Sequence, residues 1–186
     1  MSHSGAGADS GKTNELSFGI CFYNDPSIFR LLNSLPRECK KILVDGKFKF
    51  NGNPKELSDD IMRQQILNYD NVILIDAPNL PEPRKRDKYL IDNESKYLMV
   101  IDSDEYIVAA DWDKFYNHIS KLDHGIHDIF FEVDANGGVT SYPRLWVHPN
   151  EWRYTMCHNI FKHQGGELIR SGMCGGTQCP GLMCSM

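Results

Sequence analysis

Apolar runs alternate with amphipathic segments over the first half of the chain. The runs read as strands that are apolar on both faces, as is typical of a parallel sheet covered by helices on each side. Between them, Pro26 suits a first helical turn, and Ser58 is predicted to cap a helix that begins with Asp59 and Asp60. This alternation predicts a parallel, right-handed α/β sheet. The predicted strands are Leu16–Phe22, Lys41–Asp45, Asn71–Asp76 and Tyr97–Ile101.

The pattern changes in the second half. Asp111 is predicted to cap a helix, and two extended stretches, 129–133 and 139–147, flank the hairpin signal Asn136-Gly137-Gly138. A third extended piece, Trp152–His158, follows. We therefore expect a mixed α/β sheet with a parallel N-terminal half, helices on both faces and an antiparallel C-terminal half. The expected organisation is a flexible leader at 1–14, one domain at 15–164 and a disordered Gly/Cys-rich tail at 165–186.

Composition excludes several classes of protein. The chain has 186 residues, a formal net charge of −5 and a pI near 5.8, which argue against a nucleic-acid-binding face. No apolar stretch has the length of a membrane span, and the first residues lack the pattern of a signal peptide. The expected location is cytoplasmic, and peripheral association with a membrane surface is compatible with the sequence.

Two local patterns do not fit the sites that they suggest. Residues 6–13 match a loose phosphate-loop pattern, but a buried strand must precede such a loop and there is no room for one. Cys174, Cys179 and Cys184 could join His158 or His163 around zinc. Structural zinc sites usually show tighter paired spacing, so we expect a tail without metal.

The strongest chemical signal is the acidic pair that follows the fourth strand. Asp102 and Asp104 are two positions apart, so they point the same way in an extended chain. Open α/β sheets bind ligands at the carboxyl ends of their strands, where this pair lies. Paired carboxylates suit Mg²⁺ or Mn²⁺, with coordination positions left for phosphate oxygens. A solvated turn is the alternative interpretation, and the buried strand favours metal. Glu105 is expected to support the two aspartates.

Several segments, in order, carry a family resemblance. The segments are Asn24 after the first strand, Lys41–Asp45, the basic stretch Arg84–Leu90 before Tyr97–Ile107, Tyr142–Trp146, and His158. Together they resemble the GT-A-fold (Rossmann-like) glycosyltransferases, particularly the large inverting family 2 type, over about three quarters of the chain. No single motif is highly specific, but the order and spacing match.

The resemblance implies a metal-dependent transfer of a sugar, hexosyltransferase-like, from a nucleotide-diphosphate donor to a glycan, lipid or protein acceptor. It places Asp45 against the base of the donor and Arg86 against its phosphates. Arg144 would touch donor or acceptor. The metal, Mn²⁺ or Mg²⁺, would be bound by Asp102 and Asp104. His158 would be a third metal ligand or would donate a hydrogen bond to the departing phosphate.

The general base is the least defined part of this prediction. An inverting transfer needs a group that takes the proton of the acceptor hydroxyl. Glu132, Asp134 and Glu151 each fall at or just beyond the end of a predicted strand, and Asp134 is the favoured candidate. The sequence also departs from the family pattern where Lys47 follows Asp45-Gly46.

Other classes of protein fit less well. A nucleotidyltransferase would show a Gly-rich basic signature after its first strand, where Phe22-Tyr23-Asn24-Asp25 stands instead. A two-metal phosphatase or nuclease would need more clustered acids. The remaining alternative is a non-catalytic nucleotide-sugar-binding module, because the base is not clear and the chain is short for the family.

Overall fold

The computed structural model describes residues 15–47, 56–91, 93–132, 139–155, 160–165, 168–170 and 182–185. Among these residues, the larger sheet has eight strands, in the order β3-β2-β1-β4-β7-β6-β11-β5, and a second sheet has the order β10-β9-β8. The strands are β1 Leu16–Phe22, β2 Lys40–Asp45, β3 Val72–Asp76, β4 Tyr97–Val100, β5 Tyr106–Ala110, β6 Ile126–Glu132, β7 Val139–Val147, β8 Trp152–Tyr154, β9 Ile160–His163, β10 Leu168–Arg170 and β11 Leu182–Ser185.

The helices are short and lie between the strands. They are α1 Ile28–Ser34, α2 Asp60–Ile66, α3 Glu82–Arg86, α4 Lys88–Ile91 and α5 Trp112–Ile119, with a 3₁₀ turn at Pro149–Glu151. Asp111 caps α5 as predicted, because its carboxylate accepts a hydrogen bond from the backbone N–H of Lys114 at 3.0 Å. Within the described ranges, no helix has the length and apolar character needed to cross a bilayer.

The parallel half of the sheet confirms the prediction. Strands β3, β2, β1 and β4 are all parallel, and β1 pairs with β2 on one side and with β4 on the other. The chain therefore moves outward from β1 to β3 and then returns to the opposite side of β1. The carboxyl ends of the four strands meet along one edge of the sheet.

The antiparallel half also follows the predicted order. Strand β7 runs antiparallel to β4, and β6 forms a long antiparallel pair with β7, from Ile126 opposite Trp146 to Glu132 opposite Val139. At 182–185, β11 pairs with β5 along Tyr106–Ala110. Strand β5 itself was not predicted, because its apolar residues follow the acidic turn without a clear boundary.

Both faces of the central strands are buried, as predicted. Alternate residues of β1 and β4, such as Phe18 and Met99, pack with α1, α2 and α5 on one face. The residues between them, such as Leu98 and Val100, pack on the other face with Tyr89 of α4 and Trp152 of β8. The strands therefore keep their polar groups at their ends.

Gly19 in β1 allows α4 to lie close to the sheet. A Cβ atom at this position would lie 2.8 Å from Cγ of Tyr89, which is 0% exposed. The Tyr89 hydroxyl forms a hydrogen bond with the Tyr154 hydroxyl at 3.0 Å. The close packing of Tyr89 against Gly19 thus fixes the position of α4 and of the preceding helix α3, which carries Arg84, Lys85 and Arg86.

We expect Gly19→Ala to lower the free energy of unfolding by about 1–3 kcal/mol, because the added methyl group overpacks the Tyr89 ring. The measurement is urea unfolding of the single variant and of the same change in a Tyr89→Ala background. The cost should fall sharply when the ring is absent. An equal cost in both backgrounds would show that the ring contact is not the cause.

Candidate functional site

The candidate site lies at the carboxyl edge of the parallel strands, between β1 and β4. The strand order reverses at this point, since the connection from β1 leads away to β2 and β3 before the chain returns as β4. Ligands of open α/β sheets bind at such reversal points. The loop after β1 and the loop after β4 meet here, where the Ser103 hydroxyl donates to the Asp25 carboxylate at 2.5 Å.

Asp102 lies between two arginines at this edge. Its Oδ1 accepts from Nη2 of Arg86 at 3.1 Å, and its Oδ2 accepts from Nη2 of Arg144 at 2.9 Å. Burial alone would raise the pKa of Asp102, but Arg144 and Arg86 hold this pKa below its usual value. Asp102 is therefore ionised at neutral pH. Glu82 orients Arg86 by accepting from its Nε at 2.9 Å.

Glu105 supports the Asp102 loop from beneath. Its side chain is buried, with one oxygen accepting from Arg144 at 2.9 Å and the other from the backbone N–H of Asp102 at 2.8 Å. Burial raises the pKa of Glu105 to about 7, against the opposing effect of Arg144. Glu105 thus fixes both the loop and the arginine, which is the supporting role expected for it.

The residues of the acidic pair suit a hard divalent cation. The side chain of Asp102 is 36% exposed, and Asp104 is exposed at the surface of the same loop. Each carboxylate oxygen has two lone pairs, so Asp102 can bind a cation while it still accepts from the arginines. An all-oxygen donor set of this kind suits Mg²⁺ or Mn²⁺.

Asp45 is more enclosed than its predicted contact with a base suggests. It is 0% exposed, and it accepts from the backbone N–H and the hydroxyl of Ser58 and from Arg63. Ser58 therefore binds Asp45, and α2 begins at Asp60 with Asp59 in the N-cap position that the sequence assigned to Ser58. Arg63 also donates to Asp76, the last residue of β3, at 2.7 Å.

The loop after β1 connects the same strand ends. Asn24 has a left-handed backbone with φ of 45°, a conformation that asparagine tolerates. Its N–H donates to the Ser58 hydroxyl at 2.9 Å, and its side-chain oxygen accepts from the N–H of Asp59 at 2.8 Å. Asn24 therefore links the end of β1 to the start of α2.

The four basic residues of the predicted basic stretch have different environments. Lys85 is 0% exposed and donates to the carbonyls of Phe22 and Gly46, so it fixes the ends of β1 and β2. Burial lowers the pKa of Lys85. The side chain of Arg84 is 72% exposed and pairs with Asp87. Of the four, Arg86 is the residue that contacts Asp102.

The structure separates the candidate bases. Val147, at the end of β7, lies opposite Tyr97, at the start of β4, so Glu151 follows at the amino edge of β4, roughly 20 Å along the strand from Asp102. Strand β6 runs parallel to β4 and ends at Glu132, toward the carboxyl edge. Asp134 and His158 lie outside the described residues, so their roles remain predictions.

Sequence reasoning missed Arg63, Asp76 and the buried role of Lys85. Arg63 lies in the second turn of a polar helix, where an arginine is typical of a solvated surface. The partner that gives it a role, Asp45, is 18 positions away. Asp76 is the last residue of a predicted strand and lies at the same edge of the sheet as Asp45. Its position at a strand end could have indicated that it belongs to the site.

Comparisons with known proteins find similarity in solved structures. No protein-family model matches, and a search of curated proteins finds no match. S. aureus TarS 1–349 in complex with UDP-GlcNAc is 19% identical with a TM-score of 0.49, covering 68% of this chain and 37% of that chain. The complex of TarS 1–349 with UDP is 20% identical with a TM-score of 0.48, covering 68% of this chain and 38% of that chain. A further structure of S. aureus TarS is 20% identical with a TM-score of 0.46, covering 67% of this chain and 22% of that chain. The chain spans less than two fifths of the length of those chains.

We expect Arg144→Met to lower the free energy of unfolding by about 3 kcal/mol, because it leaves the carboxylates of Asp102 and Glu105 without their shared cation. Adding Glu105→Gln should recover part of this loss, because a buried glutamine does not need the proton that Glu105 takes up once Arg144 no longer lowers its pKa. The measurement is urea unfolding at pH 7.5.

The matched control is Arg37→Met at an exposed arginine, which should change stability by less than about 0.5 kcal/mol. If Arg144→Met costs no more than this control, the loss of Arg144 leaves no uncompensated buried carboxylate and the expectation is wrong.

Proposed function

We propose that this chain is a metal-dependent glycosyltransferase that binds a nucleotide-diphosphate sugar at the carboxyl edge between β1 and β4. The observation that carries the proposal is the convergence of Arg86 and Arg144 on Asp102, at 3.1 and 2.9 Å, where the strand order reverses. Cations and an acidic pair at one sheet edge are suited to a diphosphate and its divalent counterion.

The two arginines supply the phosphate-binding chemistry. A guanidinium group presents several N–H donors in one plane, which match phosphate oxygens as well as carboxylates. Each arginine contacts Asp102 through Nη2, and a guanidinium carries further N–H groups that can point toward a ligand at the edge. Glu82 and Glu105 keep Arg86 and Arg144 in place. The site is therefore pre-organised for an anion.

The cation would be bound by Asp102 and Asp104, with His158 as the third predicted ligand. A bound Mg²⁺ or Mn²⁺ would neutralise charge on the diphosphate as the bond to the sugar breaks. Asp104 is exposed on the loop, so it can reach a cation without loss of a buried contact. Asp102 keeps its arginine partners and adds the cation.

The base of the nucleotide is expected near the ends of β2 and β3. Asp45 remains the candidate from the resemblance, but its carboxylate is buried behind Arg63 and Ser58. Asp76 lies beside it with a side chain that is 55% exposed. We propose UDP-GlcNAc and UDP as the first ligands to test, because TarS has been crystallised with both.

The acceptor is proposed to bind near the carboxyl end of β6. Because β6 runs toward the carboxyl edge and ends at Glu132, the residues that follow start at that edge. Asp134 is the proposed general base of an inverting transfer. A non-catalytic nucleotide-sugar-binding module is the alternative function, and it would bind the donor without transferring its sugar.

Asp104→Asn is expected to weaken UDP binding about tenfold or more in the presence of Mn²⁺, which corresponds to about 1.4 kcal/mol. Without the metal, the wild-type protein and the variant should bind UDP equally weakly. The measurement is calorimetric titration of UDP and GDP with and without Mn²⁺.

The control is Asp113→Asn, at an exposed acid in the first turn of α5. It should bind UDP as the wild type does. The proposal fails if neither nucleotide binds with metal present, or if both aspartate variants weaken binding to the same extent.

Asp134→Asn is expected to lower turnover by about 10²–10⁴-fold, because the acceptor proton loses its base, while UDP binding is unchanged. The measurement is release of UDP from UDP-GlcNAc in an acceptor screen, with NMR of the product for its anomeric configuration. Glu151→Gln is the control and should retain turnover. A protein that binds UDP-GlcNAc but never releases UDP would be the non-catalytic module.

A further inference from the structure

A second group of metal-ligating side chains lies away from the acidic pair. His124, Glu151 and His163 each offer one ligand atom, and the three atoms lie within 4.8 Å of one another. They come from three separate parts of the chain: the turn before β6, the 3₁₀ turn after β7, and the end of β9. The tertiary structure therefore assembles a set of two imidazoles and one carboxylate that no local sequence pattern contains.

The geometry of this group is close to that of a tetrahedral metal site. Nε2 of His163 lies 3.1 Å from Oε2 of Glu151. Tetrahedral zinc bonds of about 2.0–2.1 Å separate two ligand atoms by about 3.3 Å, so this pair already has nearly the required spacing. His124 is exposed on its turn, and its ligand atom lies within 4.8 Å of the other two, so it has at most about 1.5 Å to move to reach that spacing.

The surroundings hold the imidazole rings in place. The ring of Trp152 lies 4.8 Å from that of His163 and 5.5 Å from that of His124, between centroids. The two histidine rings are themselves 5.1 Å apart at an angle of 84°. Trp152 is 0% exposed, so it forms a rigid apolar wall behind the ligands. Such packing restricts the rotamers of both histidines and reduces the entropic cost of binding an ion.

The group contains one carboxylate. Oε2 of Glu151 accepts a hydrogen bond from Nε2 of His163 at 3.1 Å. The backbone N–H of Gly165 donates to Nδ1 of His163 at 3.1 Å. In the neutral ring, Nε2 therefore carries the proton that faces Glu151. A metal at Nε2 requires the other neutral tautomer, in which the proton is on Nδ1, so the hydrogen bond from Gly165 is lost and its exposed amide turns to water.

We propose that His124, Glu151 and His163 form a binding site for a transition-metal ion of the Zn²⁺ class. Two imidazoles and a carboxylate are a three-ligand set that zinc accepts, with water or a further group in the fourth position. Hard cations such as Mg²⁺ prefer all-oxygen sites and suit Asp102 and Asp104 instead.

The location separates this site from the proposed donor site. His148 is hydrogen-bonded to Lys96 at the amino end of β4, and Glu151 follows directly, whereas Asp102 follows the carboxyl end of the same strand. The two sites are therefore at opposite edges of the sheet, roughly 20 Å apart along β4. The proposed ion would join the β6 turn to the smaller sheet, and the inference does not depend on the proposed transferase activity.

The test is a zinc titration of the full chain after removal of metals with a chelator. One equivalent of Zn²⁺ should bind, measured by competition with a chromophoric chelator. Co²⁺ in place of Zn²⁺ should give a visible absorption band typical of tetrahedral coordination. Co²⁺ should also quench tryptophan fluorescence, because Trp152 contacts both histidine rings.

Three variants decide the ligand set. His124→Ala/His163→Ala should abolish the stoichiometric binding, and Glu151→Gln should weaken it about tenfold. His118→Ala, at a histidine of α5 outside the group, should bind as the wild type does. Circular dichroism and urea unfolding check that each variant is folded.

A second set of controls addresses the other potential zinc ligands. Cys174→Ser/Cys179→Ser/Cys184→Ser should retain the zinc equivalent and the Co²⁺ spectrum. Loss of binding in this triple variant, or binding that survives His124→Ala/His163→Ala, would overturn the proposal. Mn²⁺-dependent UDP binding should be unchanged in His124→Ala/His163→Ala, so failure at one site can be told from failure at the other.

Discussion

Both faces of the central strands are buried, and the rest of the structure depends on this constraint. Strands β1 and β4 pack alternate residues into two separate apolar clusters, so an unpaired polar group on either face would be costly. Groups capable of chemistry are therefore placed at the strand ends. Gly19 and Tyr89 show how tight the packing is, because the strand approaches the ring more closely than any side chain at Gly19 would allow. The position of the basic segment follows from that contact.

At the carboxyl edge, the ion pairs balance charges that burial would otherwise disfavour. Asp102 and Glu105 share Arg144, and Asp102 is also paired with Arg86. Pairs of this kind seldom contribute much to stability, because desolvation offsets their attraction. The network holds the guanidinium groups of Arg86 and Arg144 in fixed orientations. At the proposed donor site, this order would reduce the entropic cost of binding an anionic ligand.

The two edges of the sheet have different ligand chemistry. Carboxylates and arginines meet at the carboxyl edge, which suits a hard cation and phosphate. Imidazoles and one carboxylate meet at the amino edge beside Trp152, which suits a softer ion. Strand β4 connects the two edges directly, since Lys96 lies at one end and Asp102 at the other. An ion at the amino edge would stabilise the turns there without contact with the donor site.

Sequence alone determined the parallel half of the fold, the hairpin of β6 and β7 and the position of the acidic pair, because strand burial and turn chemistry are local signals. It also selected Arg86 and Arg144, through a resemblance. Only the tertiary structure decided that Ser58 donates to Asp45 and that the buried Lys85 donates to backbone carbonyl groups. It also decided that His124, Glu151 and His163 lie close together. These contacts join residues 12 to 63 positions apart, and no local pattern records which distant side chain fills a given place.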